Sequence, residues 1–171
     1  IMGANVLPEG RAPRGGVIDM INSRCSRRRA FFVTGEFTSS YAARVARALE
    51  AKGFAIETWD KSKPEVPLEI VKECAEAMSR FEPDVIVAVG GGSVIDGAKA
   101  AWILYERPDI TDLRLMAPAG PLGLRKKAFL VAFPTTSGTG SECTAVSVVT
   151  DTEATRKVPL ASGELLPDIA V

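Results

Sequence analysis

Short apolar runs and longer amphipathic stretches alternate along this chain, and that alternation leaves few folds open. Ala30-Phe31-Phe32-Val33-Thr34 is a continuous apolar run ended by Gly35, the pattern of a strand buried on both faces. Tyr41, Val45 and Leu49 then share one helical face, with Ser39 or Ser40 as the cap and Gly53 as the stop. Phe54 to Trp59 reads as a second strand. Pro67 suits the first turn of the next helix, in which Leu68, Val71, Cys74 or Ala75, Met78 and Phe81 recur until Pro83 stops it. Asp84 to Val89 is a third strand, followed by Gly90-Gly91-Gly92-Ser93 and an alanine-rich helix to about Tyr105. Beyond a loop holding Pro108, Pro118, Gly120, Pro121 and Gly123, Ala128 to Phe133 is a fourth strand. Val146 to Thr150 and Lys157 to Ala161 flank Asp151 to Arg156 and read as a hairpin.

Elements of these lengths in this order predict an α/β fold: a Rossmann-like parallel sheet with helices on both faces, plus a β-hairpin. Residues 1–28 carry Gly3, Pro8, Gly10, Pro13, Gly15 and Gly16 ahead of Val17 to Ile21. They read as an irregular lead-in with one or two helical turns, and residues 29–171 as the α/β domain.

Composition narrows the chemistry. Lys plus Arg and Asp plus Glu both number 21, so neither nucleic acid nor a membrane surface is expected as the main partner. No apolar run approaches a membrane span and no signal peptide is visible, so the expectation is cytoplasmic. The basic run Arg24 to Arg29 reads as a solvated turn before the first strand. Cys25, Cys74 and Cys143 show no CxxC spacing; Cys74 falls on an apolar helix face and reads as core. The chain has no histidine, which excludes a Ser-His-Asp or Cys-His arrangement and any metal site built on imidazole. Cys143 therefore has no imidazole base to activate it.

Parallel sheets bind ligands beyond the carboxyl ends of their strands, and both Gly/Ser/Thr-rich turns fall there. Gly90 to Gly92 lack the side chains that would keep a diphosphate away. Ser93 stands where a helix N-cap belongs, with Asp96 three residues on as in a capping box. The same turn also serves as a tight strand-to-helix connection with no ligand. It is neither G-x-G-x-x-G nor a P-loop. In the second turn Thr135, Thr136, Ser137, Thr139 and Ser141 set hydroxyls on a loop punctuated by Gly138 and Gly140. Two such loops on neighbouring strands make one cleft, suited to an extended dinucleotide.

The segment Gly90 to Ala100 resembles the GGGSxxDxAKA signature of the iron-containing (group III) alcohol dehydrogenases. Pro134 to Glu142 resembles their PTTxGTGSE turn, and Lys63 to Pro67 their PNPT-type segment. Thr150-Asp151 through Arg156-Lys157 resembles their TD…RK hairpin, and Leu166 to Val171 their LPDxAxxDP segment. The resemblance implies a two-domain enzyme transferring hydride between a small alcohol or aldehyde and a nicotinamide cofactor. It implies Fe²⁺ or Zn²⁺ only in the intact enzyme, on one Asp and three His beyond the LPDxAxxDP segment. This chain stops inside that segment, so it is expected to be the cofactor half, without the metal domain and inactive alone. Asp168 belongs to the LPD motif and is not expected to bind metal.

The cofactor-binding residues implied are Gly35, Ser39, Gly91, Gly92, Ser93, Asp96, Thr135, Thr136, Gly138, Thr139, Val146 and Lys157; no catalytic or metal-ligating residue is expected. Gly92 and Ser93 match diphosphate contacts, Thr135 and Thr136 adenosine-side contacts, and Val146 and Lys157 contacts from the hairpin. By residue type alone, Lys157 reads equally as a solvated hairpin lysine. NAD-using members often carry Asp after the first strand, where it accepts from the ribose 2′-OH and repels a 2′-phosphate. Here that position is Gly35, followed by Glu36, and with Ser39 and Ser40 as donors the change favours NADP(H) over NAD(H). The Asn of the PNPT segment is Glu65. Alternatives are a dehydroquinate synthase-like enzyme such as a glycerol-type dehydrogenase, or a stand-alone nucleotide-binding domain without catalysis. A domain separated from its partner is expected to expose an apolar interface and, through it, to form a homodimer or aggregate.

Overall fold

The computed structural model describes residues 16–116 and 120–171. Gly3, Pro8, Gly10, Pro13, Gly15 and Pro118 lie outside the described residues. Helix α1 (Val17–Arg24) buries Val17, Ile18 and Ile21, and strand β1 (Arg29–Thr34) follows. Helix α2 (Ser39–Glu50), strand β2 (Ala55–Trp59), helix α3 (Leu68–Phe81), strand β3 (Val85–Gly90) and helix α4 (Gly92–Glu106) succeed one another as the periodicity predicts. Strand β4 (Phe129–Pro134), the hairpin β5 (Val146–Asp151) and β6 (Arg156–Ala161), and the short strand β7 (Ile169–Ala170) complete the fold.

The main sheet has five parallel strands in the order β2-β1-β3-β4-β7. Alternation along β1 divides the core. Phe31 and Val33 face α3 and α4, while Ala30 and Phe32 face α1 and α2. Strands β1 and β3 are buried almost throughout, so they read as continuous apolar runs rather than alternating ones. The β5–β6 hairpin is antiparallel and packs on α4. It is not part of the main sheet.

Several local expectations are corrected. Neither Ser39 nor Ser40 caps α2: the cap position is Thr38, and Ser39 is the first helical residue, its Oγ donating to Glu36 O at 3.0 Å. The basic run is not simply solvated. Asp84 accepts from the backbone N–H groups of Arg27, Arg28 and Arg29 at 2.6, 3.1 and 2.8 Å. Arg29 also donates from Nε to Phe81 O at 2.8 Å and lies over the Phe81 ring. Glu106 plays the corresponding part at the start of β4, accepting from the N–H groups of Lys126, Lys127 and Ala128. A buried carboxylate facing unpaired N–H groups satisfies donors that no neighbouring strand reaches. The final segment, read only as a motif, supplies the edge strand β7. Asp168 Oδ2 accepts from Leu130 N at 3.0 Å and its N–H donates to Leu130 O at 2.8 Å.

The hairpin turn is tied down electrostatically. The Arg114 guanidinium holds Asp112 below the usual carboxylate range, and the Ala154 N–H, with Arg114 beside it, does the same for Asp151. A carboxyl whose folded pKa is depressed contributes stability above its unfolded pKa and loses it as pH falls through the folded value. Thermal stability is therefore expected to hold from neutral pH to the ordinary aspartate value of 3.8 and to drop below it. Asp151→Asn is expected to flatten that acid limb, measured as melting temperature between about pH 7 and 3. An unchanged limb would refute the assignment.

Candidate ligand-binding cleft

The strand order places a topological switch between β1 and β3. From β1 the chain leaves through α2 to β2 on one side; from β3 it leaves through α4 to β4 on the other. The crevice at their carboxyl ends is where such sheets bind ligands. Thr34 Oγ1 donates to Val89 O at 2.9 Å, fastening the end of β1 to β3, and Gly35 follows directly. The glycine turn continues β3, and the hydroxyl turn continues β4.

These two turns are neighbours, as the motifs require. Gly90 pairs with Pro134, and Thr135 N donates to Gly90 O at 3.0 Å. Their contact explains the glycines more fully than a ligand alone does. A Cβ on Gly90 would come within 2.5 Å of Val94 Cγ2. On Gly91 it would come within 2.9 Å of Thr136 Oγ1, and on Gly92 within 3.0 Å of Thr139 Cγ2. Gly90 thus lets α4 start directly behind β3, and the missing side chains of Gly91 and Gly92 let the second turn lie against the first. Gly138 and Gly140 have φ of 104° and 66°, so the second turn needs glycine for its backbone.

The helix cap differs from the expected one. Gly91, extended at φ −78° and ψ −173°, is the N-cap of α4, and Ser93 is its second residue. Ser93 is consequently exposed with its hydroxyl unspent, and Asp96 does not complete a capping box. Asp96 turns to the hairpin instead, its Oδ2 accepting from Val148 N at 3.0 Å and its backbone carbonyl from Ser147 Oγ at 2.8 Å. Burial pushes the Asp96 carboxyl up, against the pull of the Val148 N–H. Thr135, Thr136, Ser137, Gly138 and Thr139 are all exposed, with Thr136 against Gly91 and Thr139 against Gly92. The first N–H groups of a helix have no intrahelical acceptor; those of Val94 and Ile95 donate to Gly91 O, which leaves the N–H groups of Gly92 and Ser93 as the open donors at the start of α4.

Lys99 was not singled out as a site residue, yet it holds the second turn in place. Fully buried on α4, its Nζ donates to Ser141 O and Thr144 O at 2.7 Å each and to Val146 O at 2.9 Å. Its signal in the sequence is a lysine on an otherwise apolar helix face. Val146 is half-exposed at the start of the hairpin. Lys157 is exposed and engages Glu65, the residue standing at the Asn position of the PNPT-type segment. Gly35 lies at the end of β1, while Ser39 stands one short turn beyond it with its hydroxyl donating to Glu36 O. A small recess beside α4 is lined by Trp59, Ser62, Val66, Ser93 and Gly97, and Ser62 Oγ in it has no hydrogen-bond partner. Cys74 is core, as expected, and Cys143 is an exposed thiol next to the second turn.

A parallel sheet with a glycine turn and a hydroxyl turn side by side at the ends of β3 and β4 makes this a Rossmann-like α/β domain. The profile of the iron-containing alcohol dehydrogenases matches residues 14–171, and the chain belongs to that family. It is 45% identical over 123 residues to the NADPH-dependent butanol dehydrogenase of Clostridium saccharobutylicum, covering 72% of this chain and 32% of that protein. It is 38% identical over 156 residues to the bifunctional aldehyde-alcohol dehydrogenase AdhE of Escherichia coli K12, covering 84% of this chain and 17% of that protein. The sulfoacetaldehyde reductase of Bifidobacterium kashiwanohense, solved in complex with NAD⁺, superposes with a TM-score of 0.73 at 29% identity, over 90% of this chain and 40% of that one. The chain thus spans well under half the length of these relatives. Among the described residues no group of three or more His, Cys, Asp or Glu could hold a metal ion, so they do not make a site for iron. No helix among them is long and apolar enough to cross a membrane.

Proposed function

We propose that residues 29–171 form the dinucleotide-binding part of an NAD(P)-dependent alcohol or aldehyde dehydrogenase, with NADP(H) favoured over NAD(H). The observation that carries this reading is the direct packing of the glycine turn on the hydroxyl turn at the carboxyl ends of β3 and β4, beside the β1/β3 switch point. The diphosphate would take the N–H groups of Gly92 and Ser93 at the start of α4, with Gly91 leaving the backbone open to it. Thr135, Thr136, Gly138 and Thr139 would take the adenosine side, and Val146 and Lys157 would close the cleft from the hairpin. Asp96 serves this site by anchoring the hairpin. Gly35 leaves room for a 2′-phosphate, with Ser40 better placed than Ser39 to donate because the Ser39 hydrogen is given to Glu36 O. The NADPH dependence of the butanol dehydrogenase relative supports that preference. When bound, the nicotinamide supplies the hydride chemistry, and in the complete enzyme its partner would be a small alcohol or aldehyde.

Calorimetric titration of this chain with NADPH and NADH in parallel is the test. Saturable binding, tighter for NADPH, is the expected result. Tighter NADH binding would keep the cleft and overturn the preference, and no binding of either would overturn the reading.

A further inference from the structure

We propose that Glu65 competes with the dinucleotide for Lys157, so that phosphate must displace this carboxylate before the lysine can hold it; the inference rests on the dinucleotide reading above. Glu65 and Val66 are consecutive residues in the left-handed region, at φ 65° and 51°. For a β-branched residue that conformation is costly and persists only where its surroundings impose it.

The surroundings are visible. Thr150 N donates to Val66 O at 2.9 Å, Thr150 Oγ1 donates to Glu65 O, and Pro67 bridges to Thr150. The Val66 side chain is buried at 5% exposure, and its Cγ1 lies 3.4 Å from where a Cβ on Gly97 of α4 would stand. The backbone beneath Glu65 is therefore pinned between the hairpin and the helix that opens the cleft. From that fixed base the carboxylate meets Lys157 Nζ, which also donates to Thr150 Oγ1 at 3.1 Å.

Among the described residues Glu65 is the acidic partner of Lys157, and both side chains are more than half exposed. An exposed pair of this kind is weak and readily exchanged. A diphosphate carries more charge than one carboxylate and offers several acceptor oxygens, so it can win the lysine, but only at the cost of the existing pair. The arrangement sets cofactor affinity below what Lys157 alone would give.

The test is a double-substitution cycle read by titration with NADPH, using the 171-residue chain, with thermal melts to verify that each variant folds. Glu65→Gln is expected to bind about five-fold more tightly than the parent chain, the scale of one exposed ion pair. Lys157→Ala is expected to bind more weakly, and adding Glu65→Gln to it should change nothing further. Unchanged or weaker binding by Glu65→Gln would overturn the proposal. So would a gain that persists in full without Lys157, because Glu65 would then act by simple repulsion. If none of the folded chains binds, the dinucleotide reading itself fails and this inference falls with it.

Discussion

Lys99→Met is expected to lower the stability of the chain by about 1–3 kcal/mol and to abolish saturable dinucleotide binding. Methionine matches the length and apolar stem of lysine but has no donor. Ser141 O, Thr144 O and Val146 O, each within 2.9 Å of Nζ, would lose this donor together. A buried acceptor left without a donor costs about 1–3 kcal/mol; Ser141 O is buried, while Thr144 O and Val146 O are partly open to water and cost less. Burial pushes the Lys99 ammonium down from its ordinary pKa, with nearby Asp96 opposing the shift. The surrounding carbonyls are what make a charge tolerable there. Arginine would not substitute, because its planar fork cannot place three donors on one point. The loss of binding follows from position: the released carbonyls belong to the segment that leads from the hydroxyl turn into the hairpin. Urea unfolding monitored by circular dichroism measures the effect. A loss below about 1 kcal/mol would show that Lys99 is incidental to the turn.

Gly35→Asp is expected to shift the ratio of NADPH to NADH dissociation constants by about 30-fold or more toward NADH. The backbone permits the change. Gly35 sits at φ −117° and ψ 169°, an extended conformation that any residue adopts. A Cβ there would make ordinary contacts with Ser62 O at 3.7 Å, Val94 Cγ2 at 3.8 Å and Thr38 Oγ1 at 3.9 Å. The new carboxylate would stand at the carboxyl end of β1, where it can accept from a ribose 2′-OH and repel a 2′-phosphate. Like charges brought together in a binding site cost several kcal/mol, which sets the size of the switch. Parallel titrations of the variant with both cofactors decide the matter. An unchanged ratio with binding intact would mean that Gly35 does not face the ribose.

Much of the fold was legible because it is written in local periodicity. Continuous apolar runs marked β1, β3 and β4, and helical spacing marked α2 and α3. The glycine and hydroxyl turns were legible for a related reason, since their unusual composition is concentrated in a few adjacent positions. Their meaning was also partly legible: placed after strands of a parallel sheet, they fall at its binding edge whatever the strand order.

The sequence by itself thus determined the elements, their α/β class and the position of both turns. Tertiary structure decided how these parts are used. Asp96 suited a capping box by spacing, but Gly91 takes the cap and leaves Asp96 to a hairpin N–H 52 residues away. Lys99 finds Ser141 O across 42 residues, and Lys157 finds Glu65 across 92. The strand β7 spans two residues, too short for any periodicity, and exists because β4 offers an edge to pair with. The physical reason is common to all four. A polar group, whether a side chain or a backbone N–H or carbonyl, takes whichever partner the packed fold brings within hydrogen-bonding distance, and short-range sequence spacing carries no record of partners that far along the chain.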